Sequence, residues 1–141
     1  MKIVSLLLAF TWELPQTLVA LVFMLFFKTQ GIAGNSRIWR VHFSSFLTCA
    51  SLGEFIFFAK RDVGGPSSWE ETVRHETGHS VQSRIFGPLY LILIALPSSI
   101  WNLLSRMDNR AGRWFAGHYY DTPWEHGANV LGKVGKKESV S

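Results

Sequence analysis

The sequence predicts an α+β fold that is held in a membrane. Hydrophobic residues make up 48% of the 141 residues, charged residues make up only 17%, and there are 11 Phe and 6 Trp. This composition is too apolar for a disordered chain and is typical of a protein that keeps apolar surface in lipid. Helical and strand-like patterns both occur along the chain, and we expect them to form a single domain over residues 1–135.

The first predicted element is a transmembrane anchor over residues 3–27. This stretch carries one charged side chain, Glu13, and about 1.5 Å per residue makes it long enough for a hydrocarbon core of about 30 Å. Pro15 predicts a kink near Thr11. Because a carboxylate is costly in lipid, we expect Glu13 to face protein or to lie near an interface.

The segment after the anchor predicts a short β-hairpin. Residues 37–44 alternate imperfectly between apolar and polar side chains, and residues 54–59 are a short aromatic and β-branched run. Such patterns favour two strands with a turn around residues 50–53. The alternative is a second transmembrane helix over residues 43–59, which would be short and would carry a glutamate.

A polar helix is predicted over residues 69–86. Ser68 can cap the free amide groups at its start, and Glu71, three residues later, can complete the capping box. The Gly87-Pro88 pair predicts its end, because glycine adopts the left-handed cap and proline cannot continue the helix.

A second membrane segment follows at residues 85–105, which contain no charged side chain. Pro97 lies near its middle, followed by Ser98 and Ser99, and each arm beside this break is too short to span a bilayer. We therefore expect a re-entrant hairpin or a segment along the interface.

The C-terminal part is predicted to be mostly short elements. Gly112 and Gly117 indicate a loop. A short helix is expected over residues 123–131, and residues 136–141 are expected to be a flexible tail.

The motif that carries chemistry is H-E-x-x-H, formed by His75, Glu76 and His79. On a helix the two histidines lie one turn apart on one face, so both imidazoles can reach one zinc ion. Such a metal lowers the pKa of water, and Glu76 can take the water proton and pass it to a departing amine.

A catalytic zinc ion normally keeps three protein ligands, so a third is needed. The chain has a single cysteine, which leaves histidine and carboxylate side chains. The downstream candidates are His118, Asp121, Glu125 and His126. We select Glu125, because Asn129 lies one turn later on the same face and can fix the tautomer of a ligand histidine. His118, Tyr119 and Tyr120 are candidate contacts to substrate or to the oxyanion, although interfacial placement of the tyrosines is an alternative.

The two motifs H-E-x-G-H and E-x-x-A-N-x-L-G resemble those of the gluzincin metallopeptidases. They are most similar to the membrane-embedded branch that contains the C-a-a-X prenyl endopeptidases and the bacterial heat-shock membrane proteases. The resemblance implies that His75, His79 and Glu125 are the zinc ligands and that Glu76 is the general base. Asn129 stands where the family has aspartate.

A second resemblance covers more of the chain. The string R-H-E-T-G-H-S-V-Q-S-R-I-F-G-P-L-Y is similar to that of a group of small uncharacterised bacterial membrane proteins. Membership of the peptidase branch would also imply that the strand before the active helix, residues 55–59, pairs with an extended peptide.

The function we expect is a zinc endopeptidase that cleaves membrane-associated proteins or peptides. Only Lys2 among the 14 Lys and Arg precedes the anchor, so the positive-inside rule puts the site on the cytoplasmic side, of a bacterial inner membrane. The unpaired Cys49 agrees with that compartment. The expected partners are the bilayer and a peptide or protein substrate, and a second copy of the chain is an option for completing the cleft. Scattered basic residues argue against nucleic acid.

Two alternatives stay open at this point. One is a site-2-type intramembrane protease, which would take its third ligand from an aspartate such as Asp121. The other is a non-catalytic membrane protein in which the metal is structural. Glu76 argues against the second alternative, because a closed structural zinc site gives it no task.

Overall fold

The computed structural model describes most of the chain, namely residues 2–26, 29–34, 39–43, 49–59, 69–107 and 110–134. These ranges contain α-helices and a four-stranded sheet, so the predicted α+β class is confirmed. The predicted cap Ser68 and the predicted tail at residues 136–141 lie outside the described residues.

The N-terminal apolar stretch forms two helices, α1 (Lys2–Phe10) and α2 (Leu14–Phe26). The prediction of a single transmembrane helix over residues 3–27, kinked near Thr11, is therefore wrong, because the expected kink is a complete break between two helices. Pro15 explains the break, because it lacks an N–H and its ring conflicts with the carbonyl four residues earlier.

Glu13 lies at this break and faces protein, as predicted. Its side chain is fully buried and accepts a hydrogen bond from the Ser83 hydroxyl at 2.5 Å. Gln16 donates to the Gly87 carbonyl at 2.6 Å. Buried polar contacts of this kind need good geometry, so they fix the break between α1 and α2 against the far end of the polar helix.

A second buried carboxyl group, Glu54, belongs to the same cluster. Arg84 donates to Glu54 Oε1 from Nε at 2.6 Å and from a terminal nitrogen at 2.5 Å. Burial raises the pKa of Glu54 to about 7 against the opposing effect of Arg84, and the nearby Glu13 adds to the rise. One guanidinium thus faces two buried carboxyl groups, which favours retention of a proton by this pair near neutral pH.

The sheet has the strand order β1-β2-β4-β3. Its strands are β1 (Thr29–Gly34), β2 (Trp39–Phe43), β3 (Ala50–Leu52) and β4 (Phe55–Ala59). β1 pairs with β2 and β3 pairs with β4 in antiparallel fashion, whereas β2 and β4 are parallel neighbours.

The two predicted strands exist as β2 and β4, but the prediction that they form a hairpin with each other is wrong. β3 intervenes, and a two-residue turn at Gly53 and Glu54 joins it to β4. Gly53 has φ +63°, which suits glycine in such turns. The alternative of a second transmembrane helix over residues 43–59 is also wrong.

The predicted polar helix is confirmed as α3 (Trp69–Phe86). Gly87 follows it with φ +52°, the left-handed conformation expected of a glycine after a helix. A side chain at this position would also meet the indole of Trp12 at 2.2 Å. The Trp12 Nε1 donates to the Arg84 carbonyl at 2.8 Å, so the end of α3 is held by the N-terminal break.

The apolar segment after α3 turns back on it. A 3-10 turn (Gly87–Leu89) and a π-helical turn (Leu91–Ala95) precede α4 (Leu96–Ser105). The helical runs on either side of Tyr90 are bent by 119°. The prediction of a break at Pro97 is wrong, because the helix continues through it. The π turn just before Pro97 widens the helix backbone, and this relieves the clash between the proline ring and the Leu93 carbonyl that a regular α-helix would have.

Two further helices close the domain, α5 (Arg110–Gly117) and α6 (Pro123–Gly132). The loop predicted from Gly112 and Gly117 is wrong, since these residues lie in α5. Gly112 is there for close packing, because a side chain would meet the Met107 carbonyl oxygen at 1.9 Å. The predicted helix over residues 123–131 is confirmed as α6.

Among the described helices, none is both long and apolar enough to cross a membrane alone. The runs Glu70–Leu89 and Leu91–Ser105 meet the criteria of length and composition only as a bent pair, and Leu14–Phe26 is a shorter apolar helix.

Candidate metal centre and active site

The site forms where α3 and α6 pack with almost no side chain between them. A Cβ on Gly78 would meet the Ala128 carbonyl oxygen at 1.9 Å, and a Cβ on Gly132 would meet the Arg74 carbonyl oxygen at 1.9 Å. Glycines at both crossing points therefore let the two backbones touch. This close approach brings Glu125, in the first turn of α6, against the histidines of α3.

His75, His79 and Glu125 converge as predicted. Glu125 Oε2 lies 3.0 Å from Nε2 of His75 and 3.3 Å from Nε2 of His79. One ligand atom from each residue lies within 4.8 Å of the other two. Tetrahedral ligands at about 2.1 Å from a zinc ion are about 3.4 Å apart, so the spacing at the carboxylate suits such an ion.

Each of the two imidazoles is oriented by a hydrogen bond at Nδ1, the ring nitrogen that faces away from Glu125. Nδ1 of His75 lies 2.8 Å from Oδ1 of Asn129, and Nδ1 of His79 lies 2.8 Å from Oε1 of Gln82. An amide oxygen only accepts, so each Nδ1 carries a proton and donates it. Nε2 of each imidazole is then the ring nitrogen that faces Glu125, and this arrangement calls for a positive charge, either a proton or a metal ion, among the three groups.

The pKa shifts of His75 and Glu125 agree with this need for a positive charge. Burial lowers the pKa of His75, but Glu125, Glu76 and Asn129 together outweigh it and raise the pKa above its usual value. Burial would raise the pKa of Glu125, yet the two imidazoles and the Ser98 hydroxyl hold it far below its usual range. The carboxylate is thus ionised and suited to bind a cation.

Ser98 of α4 completes the surroundings of Glu125. Its hydroxyl donates a hydrogen bond to Glu125 Oε1, the oxygen that does not face the histidines. Tyr119 is next to it, with its hydroxyl 3.5 Å from the Ser98 Oγ. Burial and the charge of Glu125 raise the pKa of Tyr119, so this phenol stays protonated and can donate.

Glu76 is buried and lines a cavity of about 550 Å³ together with His75 and His79. Part of the lining is apolar and comes from α2, the sheet and the π turn. Its main side chains are Val19, Phe23, Leu52, Phe57 and Leu91. A water molecule or a carbonyl group could therefore meet the Glu76 carboxylate and the two imidazoles in a largely apolar surrounding.

The other predicted contacts divide into two groups. Tyr119 lines the cavity, and Tyr120 places its ring edge-on against His75 with centroids 5.6 Å apart. His118 does not reach the site: it is exposed, stacks on Trp114 and donates from Nδ1 to the Trp114 carbonyl. The prediction of His118 as an oxyanion or substrate contact is therefore wrong.

The remaining ligand candidates also stay apart from the cluster. Asp121 and His126 are exposed, and neither belongs to the metal-binding group found among the described residues. A hydrogen-bonded turn ends at Asp121, whereas the Glu125 side chain is fully buried. The aspartate that a site-2-type arrangement would need is thus not supplied by Asp121.

Two residues of the site, Gln82 and Ser98, were not predicted from the sequence in their roles. Gln82 follows His79 by three residues, a spacing that puts it on the same helix face. It also donates from Nε2 to the Trp124 carbonyl at 2.8 Å, which ties α3 to the start of α6. Ser98 had no local signal, because only the 119° bend brings α4 back to Glu125.

The strand next to the site is β3, whereas the sequence assigned the peptide-pairing role to residues 55–59. β4 is paired on both sides, by β2 and by β3, and so cannot accept another strand. β3 is an edge strand of the described sheet, and Ala50, Ser51 and Leu52 line the cavity.

Comparisons of the chain with protein-family models, with curated proteins and with solved structures each find no match.

Proposed function

We propose that this protein is a zinc-dependent endopeptidase that works at the cytoplasmic surface of a membrane. The observation that supports it best is the triangle of His75, His79 and Glu125. Three acceptor atoms converge there while both Nδ1 protons are committed elsewhere. A cluster of two imidazoles and one carboxylate is the donor set of catalytic zinc sites of the His₂Glu type.

The chain supplies the groups that peptide hydrolysis requires. A zinc ion bound by His75, His79 and Glu125 would lower the pKa of water and polarise a carbonyl group. Glu76, buried beside the two histidines, accepts the proton of the attacking water and delivers it to the departing amine. Tyr119, which stays protonated, lines the same cavity, and its single proton can turn from Ser98 Oγ towards the oxygen of the attacked carbonyl once a substrate is bound.

The cavity suggests the kind of peptide that fits. An extended chain can add to the outer edge of β3 by backbone hydrogen bonds, which bind any sequence. The apolar wall formed by Phe23, Phe57 and Leu91 then favours an apolar side chain close to the scissile bond. We expect substrates with exposed, apolar and unstructured segments.

Exposed apolar side chains support the membrane part of the proposal. Leu25 and Phe26 at the end of α2 are 83% and 81% exposed, and Ile92 and Leu103 on the returning arm are 64% and 69% exposed. Soluble monomers rarely display so many large apolar groups together. A bilayer covers them without any further protein.

The test is cleavage by the purified full-length protein in detergent. We expect it to cleave a casein-like unfolded substrate and a fluorogenic peptide with an apolar residue at the scissile bond. Removal of metal by a chelator should abolish cleavage, because the polarising charge is lost. One equivalent of zinc should restore it.

Two controls make this result specific. Magnesium should not restore cleavage, because it binds nitrogen ligands poorly. A co-purified protease would give cleavage that survives in Glu76→Gln protein purified in the same way. Cleavage that persists after complete metal removal contradicts the proposal.

A further inference from the structure

We propose that Ser98 is a positioning residue that makes Glu125 offer a single oxygen to the metal, so that one coordination position stays open for the reaction. The inference rests on the proposed metal site. It concerns a residue on α4, outside both sequence motifs, and it can fail while that site stands.

The first step is the division of labour between the two oxygens of Glu125. Oε2 faces His75 and His79 at 3.0 and 3.3 Å, whereas Oε1 accepts a hydrogen bond from the Ser98 hydroxyl. A carboxylate can bind a metal through one oxygen or through both. The bond from Ser98 turns Oε1 away from the histidines and so favours the one-oxygen mode.

The Ser98 hydroxyl is itself held in place by a neighbouring side chain. Its Oγ lies 3.5 Å from the Tyr119 hydroxyl, and Tyr119 precedes α6 in the same turn that leads to Glu125. A hydroxyl that donates to Glu125 still has lone pairs to accept from Tyr119. The chain of bonds from Tyr119 through Ser98 to Glu125 therefore has one consistent direction.

Each of the three proposed ligands has a hydrogen-bonding side chain that orients it. Asn129 supports His75, Gln82 supports His79, and Ser98 supports Glu125. These supports come from α6, α3 and α4 respectively. Ser98 reaches Glu125 only because the 119° bend near Tyr90 turns α4 back towards α6.

The consequence for coordination is direct. Two imidazoles and one carboxylate oxygen leave a tetrahedral ion with one open position, which a catalytic site needs. If Glu125 bound through both oxygens, that position would be crowded by its own carboxylate. Loss of the Ser98 hydroxyl should therefore change the number of protein atoms around the metal.

The experiment replaces zinc with cobalt in the full-length protein in detergent. Four-coordinate cobalt(II) absorbs visible light more strongly than five- or six-coordinate cobalt(II). We expect wild type to give an intense four-coordinate spectrum, and Ser98→Ala to give a several-fold weaker one. The affinity for cobalt should fall about tenfold to a hundredfold, as for other groups that support metal ligands.

Two further variants keep the test decisive. Ser98→Thr retains the hydroxyl beside an open cavity and should keep the wild-type spectrum. Ser105→Ala is the matched control, because that hydroxyl lies on the same helix and, among the described residues, donates to the Asn102 carbonyl of its own turn. Its spectrum should also be that of wild type.

A Ser98→Ala spectrum with the wild-type intensity overturns the inference, whatever happens to affinity. A weakened spectrum in Ser98→Thr also overturns it, because the hydroxyl is then not the active group. A wild-type protein that binds no cobalt would instead refute the metal site on which the inference rests.

Discussion

Glu76→Gln is expected to abolish peptide cleavage while the protein keeps its metal. The amide has the shape of the carboxylate but cannot accept the proton of the attacking water. General base catalysis typically contributes about a hundredfold to ten-thousandfold, and we expect a loss of at least about a thousandfold in kcat/KM. Initial rates on the fluorogenic peptide, together with zinc content per chain, measure both parts of the result.

The matched control for this variant is Glu70→Gln. Glu70 lies on the same helix, but its side chain is exposed and pairs with Arg74 at 2.7 Å. Exposed ion pairs contribute little to stability, so this variant should cleave like wild type. If Glu76→Gln retains cleavage within a few-fold of wild type, Glu76 is not the base. If it loses zinc, the carboxylate has a structural task.

Gly78→Ala is expected to disrupt the contact between α3 and α6. The new methyl group would lie 1.9 Å from the Ala128 carbonyl oxygen, and two backbones cannot relax as a flexible side chain can. Overpacking commonly costs about 1 to 3 kcal/mol, and occasionally more. Against a total stability of about 5 to 15 kcal/mol, we expect a loss of at least about 3 kcal/mol.

This loss should appear as a melting temperature at least about 10 °C lower, with weaker zinc binding because α6 carries Glu125. Gly117→Ala is the control, since a Cβ there meets no atom of the described residues within 4 Å, and it should melt like wild type. Thermal unfolding followed by circular dichroism gives the comparison. A Gly78→Ala protein with wild-type melting and zinc binding would show that the close contact of α3 and α6 is not required.

Elements with strong local signals were predictable from the sequence. α3 has acidic residues in its first turn, and a glycine and a proline just beyond its end. α6 begins at a proline. Signals of this kind act over a few residues and do not depend on the rest of the fold.

The pairing of strands was not predictable in the same way. β3 is only three residues long, which is too short to show a periodic pattern. It nevertheless forms the hairpin with β4, so that β2 is left as the parallel partner of β4. The path of residues 85–105 was misjudged for a related reason. Pro97 is a strong local signal, but a widened turn before it absorbs the effect, and the bend occurs near Tyr90.

In the site too, residues with local sequence signals were predictable, whereas residues placed by long-range folding were not. The spacing of His75 and His79 on one helix is a local pattern, and it was sufficient to predict that their imidazoles lie side by side. Glu125 was reached because Asn129 lies one turn later, and the structure brings both residues to the histidines. Ser98 and the misplaced His118 depend on how α4 and α5 fold back, which no local pattern indicates.

The most direct test of the central claim is a zinc titration of metal-free protein, with wild type and Glu125→Ala side by side. Isothermal titration calorimetry in detergent should give one zinc per chain for wild type. Glu125→Ala should bind zinc at least about a hundredfold more weakly, because it loses a ligand and not only a supporting group. Equal affinity in the two proteins, or no zinc binding by wild type, would contradict the assignment of His75, His79 and Glu125 as a metal centre.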